Sequence, residues 1–199
     1  MLKKTAGYIA GSLAKTLARL STTRTNYWAE YCLDISLIVA LVYLGWRHNT
    51  GGVGMIPMAV AIGFLGYSFT EYGFHRWLFH TRIPLFAEGH RKHHENPLGY
   101  DALPFFLPAA LSIGLTAVFS LFLPVGFACF MMAAVTLGYV LYGFSHFIIH
   151  HVRFRNRILM RWAAVHHIHH YHADKNYGVT TPLWDYLLNT RYKRQPGKA

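Results

Sequence analysis

Fourteen histidines stand among 199 residues, and most of them fall at metal-ligand spacings. His146 and His150 are four apart and share one face of a helix. The runs His90-Arg91-Lys92-His93-His94 and His166-His167-Ile168-His169-His170 both read H-x-x-H-H. In such a unit the first histidine shares a helix face with each of the later two, while the adjacent pair diverges by about 100°. One ion rarely takes two helix-adjacent histidines, but two neighbouring ions can take one each. His75 and His80 are five apart, a poor spacing for one straight α-helix face, so they are expected to straddle a helix end where the chain unwinds. These ten imidazoles are too many for one ion with about four to six ligands, and they suit a dinuclear site with about five each. Imidazole suits iron, zinc, copper or nickel, and spacing alone does not choose among them. Almost no carboxylate accompanies the set. His151, His167 and His172 are surplus to the pattern and read as ordinary polar residues, and His48 stands apart.

The elements that must position these rings are apolar. Hydrophobic residues make up 53% of the chain and charged residues 14%, where about 25% charged is usual. That composition excludes disorder, and two cysteines in or beside apolar runs, Cys32 and Cys129, exclude a disulfide scaffold. The apolar runs are expected to form four membrane-spanning helices, about Tyr27–Trp46, Val53–Phe74, Pro104–Leu123 and Val125–Ser145. Each is close to the roughly 20 residues that a bilayer core requires. Leu123-Pro124-Val125-Gly126 is a turn signal between the last two. The first span must tolerate Glu30 and Asp34.

Charge orients the spans. Cytoplasmic loops collect Lys and Arg. With the N-terminus inside, Lys3, Lys4, Lys15, Arg19, Arg24, Arg76, Arg82, Arg91, Lys92 and every basic residue from Arg153 to Lys198 lie on the inner side. Only Arg47 lies outside. The net charge of +11 then faces anionic headgroups, with no need for nucleic acid. This topology, set without using histidine, places every histidine except His48 on the inner side. Leu2, Ala6, Ile9, Leu13, Leu17 and Leu20 recur every three or four residues, so residues 1–24 read as an amphipathic helix lying on the inner leaflet. Residues 25–190 form the membrane domain and 191–199 a basic tail. A bacterial inner membrane or the endoplasmic reticulum would suit such a chain.

The stretch from about Phe64 to Thr190 resembles the fatty acid hydroxylase and sterol desaturase superfamily of membrane di-iron oxygenases. The resemblance rests on Glu71-Tyr72-Gly73-Phe74-His75-Arg76-Trp77-Leu78-Phe79-His80, the unit His90–His94, His146-x-x-x-His150 and His166–Tyr171. It extends to Asn176-Tyr177-Gly178-Val179-Thr180-Thr181-Pro182-Leu183-Trp184-Asp185. Within the superfamily the chain is most similar to fatty-acid 2-hydroxylases. The resemblance implies that His75, His80, His90, His93, His94, His146, His150, His166, His169 and His170 bind two iron ions, positions that zinc can also fill in a purified sample. Helix geometry suggests a split, with His75, His80, His90, His94 and His169 on one ion and His93, His146, His150, His166 and His170 on the other. The implied activity is hydroxylation of an unactivated C–H bond in a lipid chain, using O2 and electrons from a separate protein docked on the basic inner face.

The implied fold is all-α and integral to the membrane, with four spans in two hairpins and a helical cytoplasmic cap of residues 75–103 and 146–190 over the dinuclear site. Only nine residues separate His80 from His90, and His146-x-x-x-x-His151 also fits carotenoid ring hydroxylases. A carotenoid ring or sterol hydroxylase or desaturase on the same centre is therefore the alternative enzyme. A metal transporter or metal-storage membrane protein is the alternative outside enzymes, although transport sites usually lie at the midplane and use Asp or Glu. Glu71 lies one turn before His75, placed to accept a ring N–H and fix its tautomer. Asp185 either does the same for the last cluster or caps a helix or turn.

Overall fold

The computed structural model describes residues 19–80, 84–100 and 102–194. Among them no strand occurs, and the helices are α1 (Arg24–Arg47), α2 (Met55–Gly73), a π-helical segment (Phe74–Phe79), α3 (Pro84–Glu95), α4 (Leu107–Phe119), α5 (Val125–His151), α6 (Arg157–Tyr171) and α7 (Leu183–Leu187). The amphipathic helix expected over 1–24 lies, up to residue 18, outside the described residues, as do Arg82 and residues 195–199 of the basic tail. Both cysteines are free thiols.

Among the described residues two helices, α1 and α5, are long and apolar enough to cross a membrane. At 1.5 Å per residue they reach about 36 and 40 Å, more than a bilayer core of about 30 Å. The third expected span, 104–123, is helical only over the thirteen residues of α4, about 20 Å. Pro108 is accommodated in the first turn of the helix, and the helix ends at Phe119 with Ser120 as its C-cap, four residues before the Leu123-Pro124 turn signal. The outward faces of these helices are apolar: Val39, Tyr43 and Trp46 on α1, and Leu111, Ile113 and Leu115 on α4, are all exposed.

The chain divides into two compact units. The first comprises residues up to Gly63 together with Gly99–Val140. Its core is Leu41, Ala59, Phe127 and Cys129–Ala133. At Gly63 a Cβ would lie 2.3 Å from the Met131 carbonyl oxygen, so α2 meets α5 at a point only glycine permits. Thr23 caps α1, its hydroxyl accepting from the Asn26 N–H at 3.2 Å. The two acids that the first span had to tolerate are buried in this unit. The Tyr139 hydroxyl donates to Glu30. On the same face Asn26 donates to the Leu103 carbonyl at 2.7 Å and accepts from the Phe105 N–H at 2.9 Å.

The second unit comprises Phe64–Leu98 and the chain from Leu141 onward. It has a small core of Ile149, Ala163 and Val179, flanked by Tyr142, Phe154 and Trp162. Asn156 starts α6, its side-chain oxygen accepting from the Ile158 N–H at 2.8 Å. On α3 the exposed face is held by Arg91 bridging Glu88 at 2.9 Å and Glu95 at 2.5 Å, which leaves the other faces to histidine.

Candidate metal centre

All ten histidines singled out from spacing lie in the second unit, and His48 lies exposed in the first. They gather into two groups of five. His75, His80, His90, His94 and His169 form one, and His93, His146, His150, His166 and His170 the other, with the ligand atoms in each within 4.8 Å of one another. Each H-x-x-H-H unit feeds both groups, as the 100° divergence of its adjacent pair requires. From α3, His90 and His94 go to the first group and His93 to the second. From α6, His169 goes to the first and His166 and His170 to the second. The groups adjoin, with the rings of His94 and His170 stacked at 4.4 Å.

His75 and His80 reach the first group by a route that differs from the expected one. The helix widens rather than unwinds. Phe74–Phe79 is π-helical, with His80 as its C-terminal cap. A π turn closes hydrogen bonds between residues five apart, so two histidines at that spacing come onto one face. Their rings stack at 5.3 Å. π-bulges inside α-helices frequently lie at functional sites.

The donor atoms fit a metal. In the first group Nε2 of His90 lies 3.1 Å from those of His75 and His80, and 3.0 Å from that of His94. His80 and His169 are 3.1 Å apart in the same way. In the second group His166 is 3.1 Å from both His150 and His170, and His93 is 3.3 Å from His170. Bonds of about 2.1 Å meeting near a right angle would separate their nitrogens by about 3.0 Å. Neither group contains a carboxylate.

Seven of the rings are prepared as neutral lone-pair donors. Burial, assisted by neighbouring imidazoles, pushes His94 down to about 4 and His170 down to about 2. Burial takes His169 to about 3 against the upward pull of its hydrogen bond to Lys175. His75, His90 and His166 are held low by burial and then by their neighbours, and His80 by burial. Two tautomers are fixed by the backbone, since a carbonyl can only accept. His75 Nδ1–H donates to the Tyr177 carbonyl at 2.5 Å and His169 Nδ1–H to the Lys175 carbonyl at 2.7 Å, leaving both Nε2 atoms unprotonated.

Glu71 does not bond His75 as expected, and Asp185 takes the capping role among its two expected ones. Glu71 accepts from the Val179 N–H at 2.6 Å, the Thr180 N–H at 3.0 Å and the Thr180 hydroxyl, rather than from His75. Asp185, fully buried, accepts from the Tyr177 N–H at 2.9 Å, the Gly178 N–H at 2.8 Å and the Thr190 hydroxyl at 2.7 Å. It is a turn cap. Both carboxylates therefore hold the loop 175–180, and that loop supplies the carbonyls that orient His75 and His169. Reading side-chain types left out these backbone acceptors, and Asn176 as well. Asn176 has φ 55°, accepts from the Tyr192 N–H at 2.8 Å and donates to the Val165 carbonyl at 3.1 Å. The one signal was Asn176-Tyr177-Gly178, whose Asn and Gly favour turns. His151 and His172 stack on Phe147 and Tyr192, and His167 is exposed.

Comparison with known proteins points the same way. The family model described as fatty acid hydroxylase matches residues 60–190. The fatty acid 2-hydroxylase of Macaca fascicularis is 33% identical over 154 residues, which is 71% of this chain and 41% of that one. The dihydroceramide fatty acyl 2-hydroxylase FAH2 of Arabidopsis thaliana is 28% identical over 179 residues, 84% of this chain and 74% of that one. The ceramide very long chain fatty acid hydroxylase scs7 of Schizosaccharomyces pombe is 32% identical over 154 residues, 68% of this chain and 44% of its own length. The chain thus spans less than half of two of these three relatives. A solved structure described as full length scs7p, with only the hydroxylase domain visible, superposes with a TM-score of 0.73 at 23% identity. The match covers 89% of this chain and 70% of that one, and it shows a shared fold.

Proposed function

The chain belongs to the fatty acid hydroxylase family, and from that premise we propose that it hydroxylates a lipid acyl chain at an unactivated C–H bond, using O2 and a pair of iron ions. The observation that carries this is the pair of all-imidazole groups, five rings each, with nitrogens at metal-ligand separations. His75, His80, His90, His94 and His169 would hold one ion, and His93, His146, His150, His166 and His170 the other. When bound, the iron pair supplies activation of O2 for insertion into the C–H bond.

The protein supplies the rest. Its neutral imidazoles present lone pairs without a proton to displace. The Lys175 and Tyr177 carbonyls hold two rings in register. Burial of His75, His93, His166 and His169 keeps bulk water from the ligands. The relatives named as acting on ceramide or dihydroceramide acyl chains make an acyl chain the favoured substrate over a carotenoid ring or a sterol.

The membrane topology belongs to the same proposal. Four spans run in two hairpins, with both termini and the segments 75–103 and 146–190 on the cytoplasmic side, and residues 25–190 form the membrane domain. The lengths of α1 and α5 and the inner-side charge support it. Electrons come from a separate acidic carrier, attracted by the exposed Arg153, Arg155, Arg157 and Arg161. Lipid mass spectrometry on cells with and without the protein tests the reading. A lipid heavier by one oxygen atom is expected. An unchanged lipid profile with iron in place would overturn it.

A further inference from the structure

Two features distinguish the two histidine groups. In the first, two rings are already fixed. His75 donates to Tyr177 and His169 to Lys175, both carbonyls of the loop 175–180. That loop is fastened at three places. Glu71 of α2 takes the Val179 and Thr180 N–H groups, Asp185 of α7 takes those of Tyr177 and Gly178, and Asn176 reaches the Val165 carbonyl of α6. The close fit allows little freedom: a Cβ on Gly178 would stand 2.1 Å from the Thr181 carbonyl oxygen. In the second group the buried Nδ1 of His166 has no hydrogen-bond partner. Nothing there fixes its tautomer, and Nδ1 stays unpaired whether it carries the proton or the lone pair.

We propose that the two metal positions are unequal, the group of His75 and His169 holding its ion the more tightly, and that Glu71 and Asp185 are positioning residues for that group alone, acting through the loop 175–180. The inference rests on the metal-binding reading above. A ligand held in the correct tautomer loses less entropy on coordination and is a stronger base. Loss of such outer partners typically weakens metal affinity by about 10–100-fold.

The carboxylates themselves differ in a way that can be tested. Both oxygens of Asp185 accept backbone N–H groups, so Asp185→Asn sets an amide N–H against Gly178 or Tyr177 and displaces the loop. Only one oxygen of Glu71 takes backbone N–H groups, and the other takes the Thr180 hydroxyl. A glutamine satisfies that pattern by donating to the hydroxyl, whereas alanine satisfies none of it.

The full chain is purified in detergent, loaded with Zn²⁺ and titrated with a chelator of known affinity. Two ions should leave at chelator activities at least tenfold apart. His146→Ala should remove the weaker ion and leave the tighter unchanged. Asp185→Asn and Glu71→Ala should weaken the tighter by about 10–100-fold with the weaker unmoved. Glu71→Gln should restore tight binding, which a loss of general folding would not produce. The glutamate arm stands by itself should Asp185→Asn fail to elute as a single folded species. Two ions of equal affinity, or variants that weaken both ions alike, would overturn the inference, and so would a protein that takes up no metal. A chain that binds two unequal ions yet oxidises no lipid would support it while refuting the hydroxylase reading.

Discussion

Acidifying the metal-free protein from pH 7 to pH 5 should destabilise it steeply. His169 carries the clearest case, since it is completely buried. The unfolded residue takes a proton near pH 6.5, whereas in the fold it resists protonation down to about 3. Between those values the unfolded state binds more protons than the folded one. The stabilisation is therefore complete above about pH 6.5 and is lost as pH falls toward 3. At pH 5 the unfolded residue is about 1.5 units below its pKa, a loss of about 2 kcal/mol at 1.36 kcal/mol per unit. His75, His90 and His166 are displaced in the same direction by burial and act in the same sense. Against a typical total stability of about 5–15 kcal/mol this is a large fraction. The assay is thermal unfolding of chelator-treated protein in detergent, followed by loss of the monodisperse species at pH 7, 6 and 5. A midpoint unchanged between pH 7 and 5 would refute the packing of neutral imidazoles on which the site is built.

Three further outcomes are expected. His93→Ala and His170→Ala should each abolish lipid oxidation and lower bound metal, while His48→Ala should change neither; equal losses at all three would contradict the assignment of the metal ligands to the histidines of the second unit. Gly63→Ala should cost about 1–3 kcal/mol by forcing α2 from the Met131 carbonyl, read as a fall of about 2–4 °C in midpoint per kcal/mol. Unaltered stability would mean that the close approach is absent. Ile149→Ala should cost about 2–5 kcal/mol, because Ile149 is buried in the small core of the second unit, and a loss below 1 kcal/mol would show that the core is not packed as described.

Much of the site was legible because helical spacing is a local property. Four residues apart means one face, and an H-x-x-H-H unit must diverge, so His90–His94 and His166–His170 could be assigned to two neighbouring groups without coordinates. The helical class followed from long apolar runs. What escaped depended on local irregularity or on the backbone. Nothing in Phe74–Phe79 announces a π turn; only the awkward spacing of His75 and His80 hinted that the α-helix could not continue unchanged. The helical part of the third span is shorter than its apolar run, because hydropathy reads composition and does not locate helix ends. The capping role of Asp185 was one of its two expected readings, whereas the partner expected for Glu71, His75, is not the one it binds. Side-chain types suggest side-chain pairs, while Glu71 and Asp185 bind main-chain N–H groups more than one hundred and about eight residues away respectively. The tolerance of Glu30 in an apolar helix likewise depends on Tyr139, a contact that pattern along one helix does not contain.

The most direct test is metal analysis of the purified full chain together with X-ray absorption at the metal edge. Two transition-metal ions per chain are expected, each surrounded by about five nitrogen neighbours at about 2.1 Å. Fewer than one ion per chain, or a ligand shell dominated by sulfur or carboxylate oxygen, would contradict the assignment of the ten histidines.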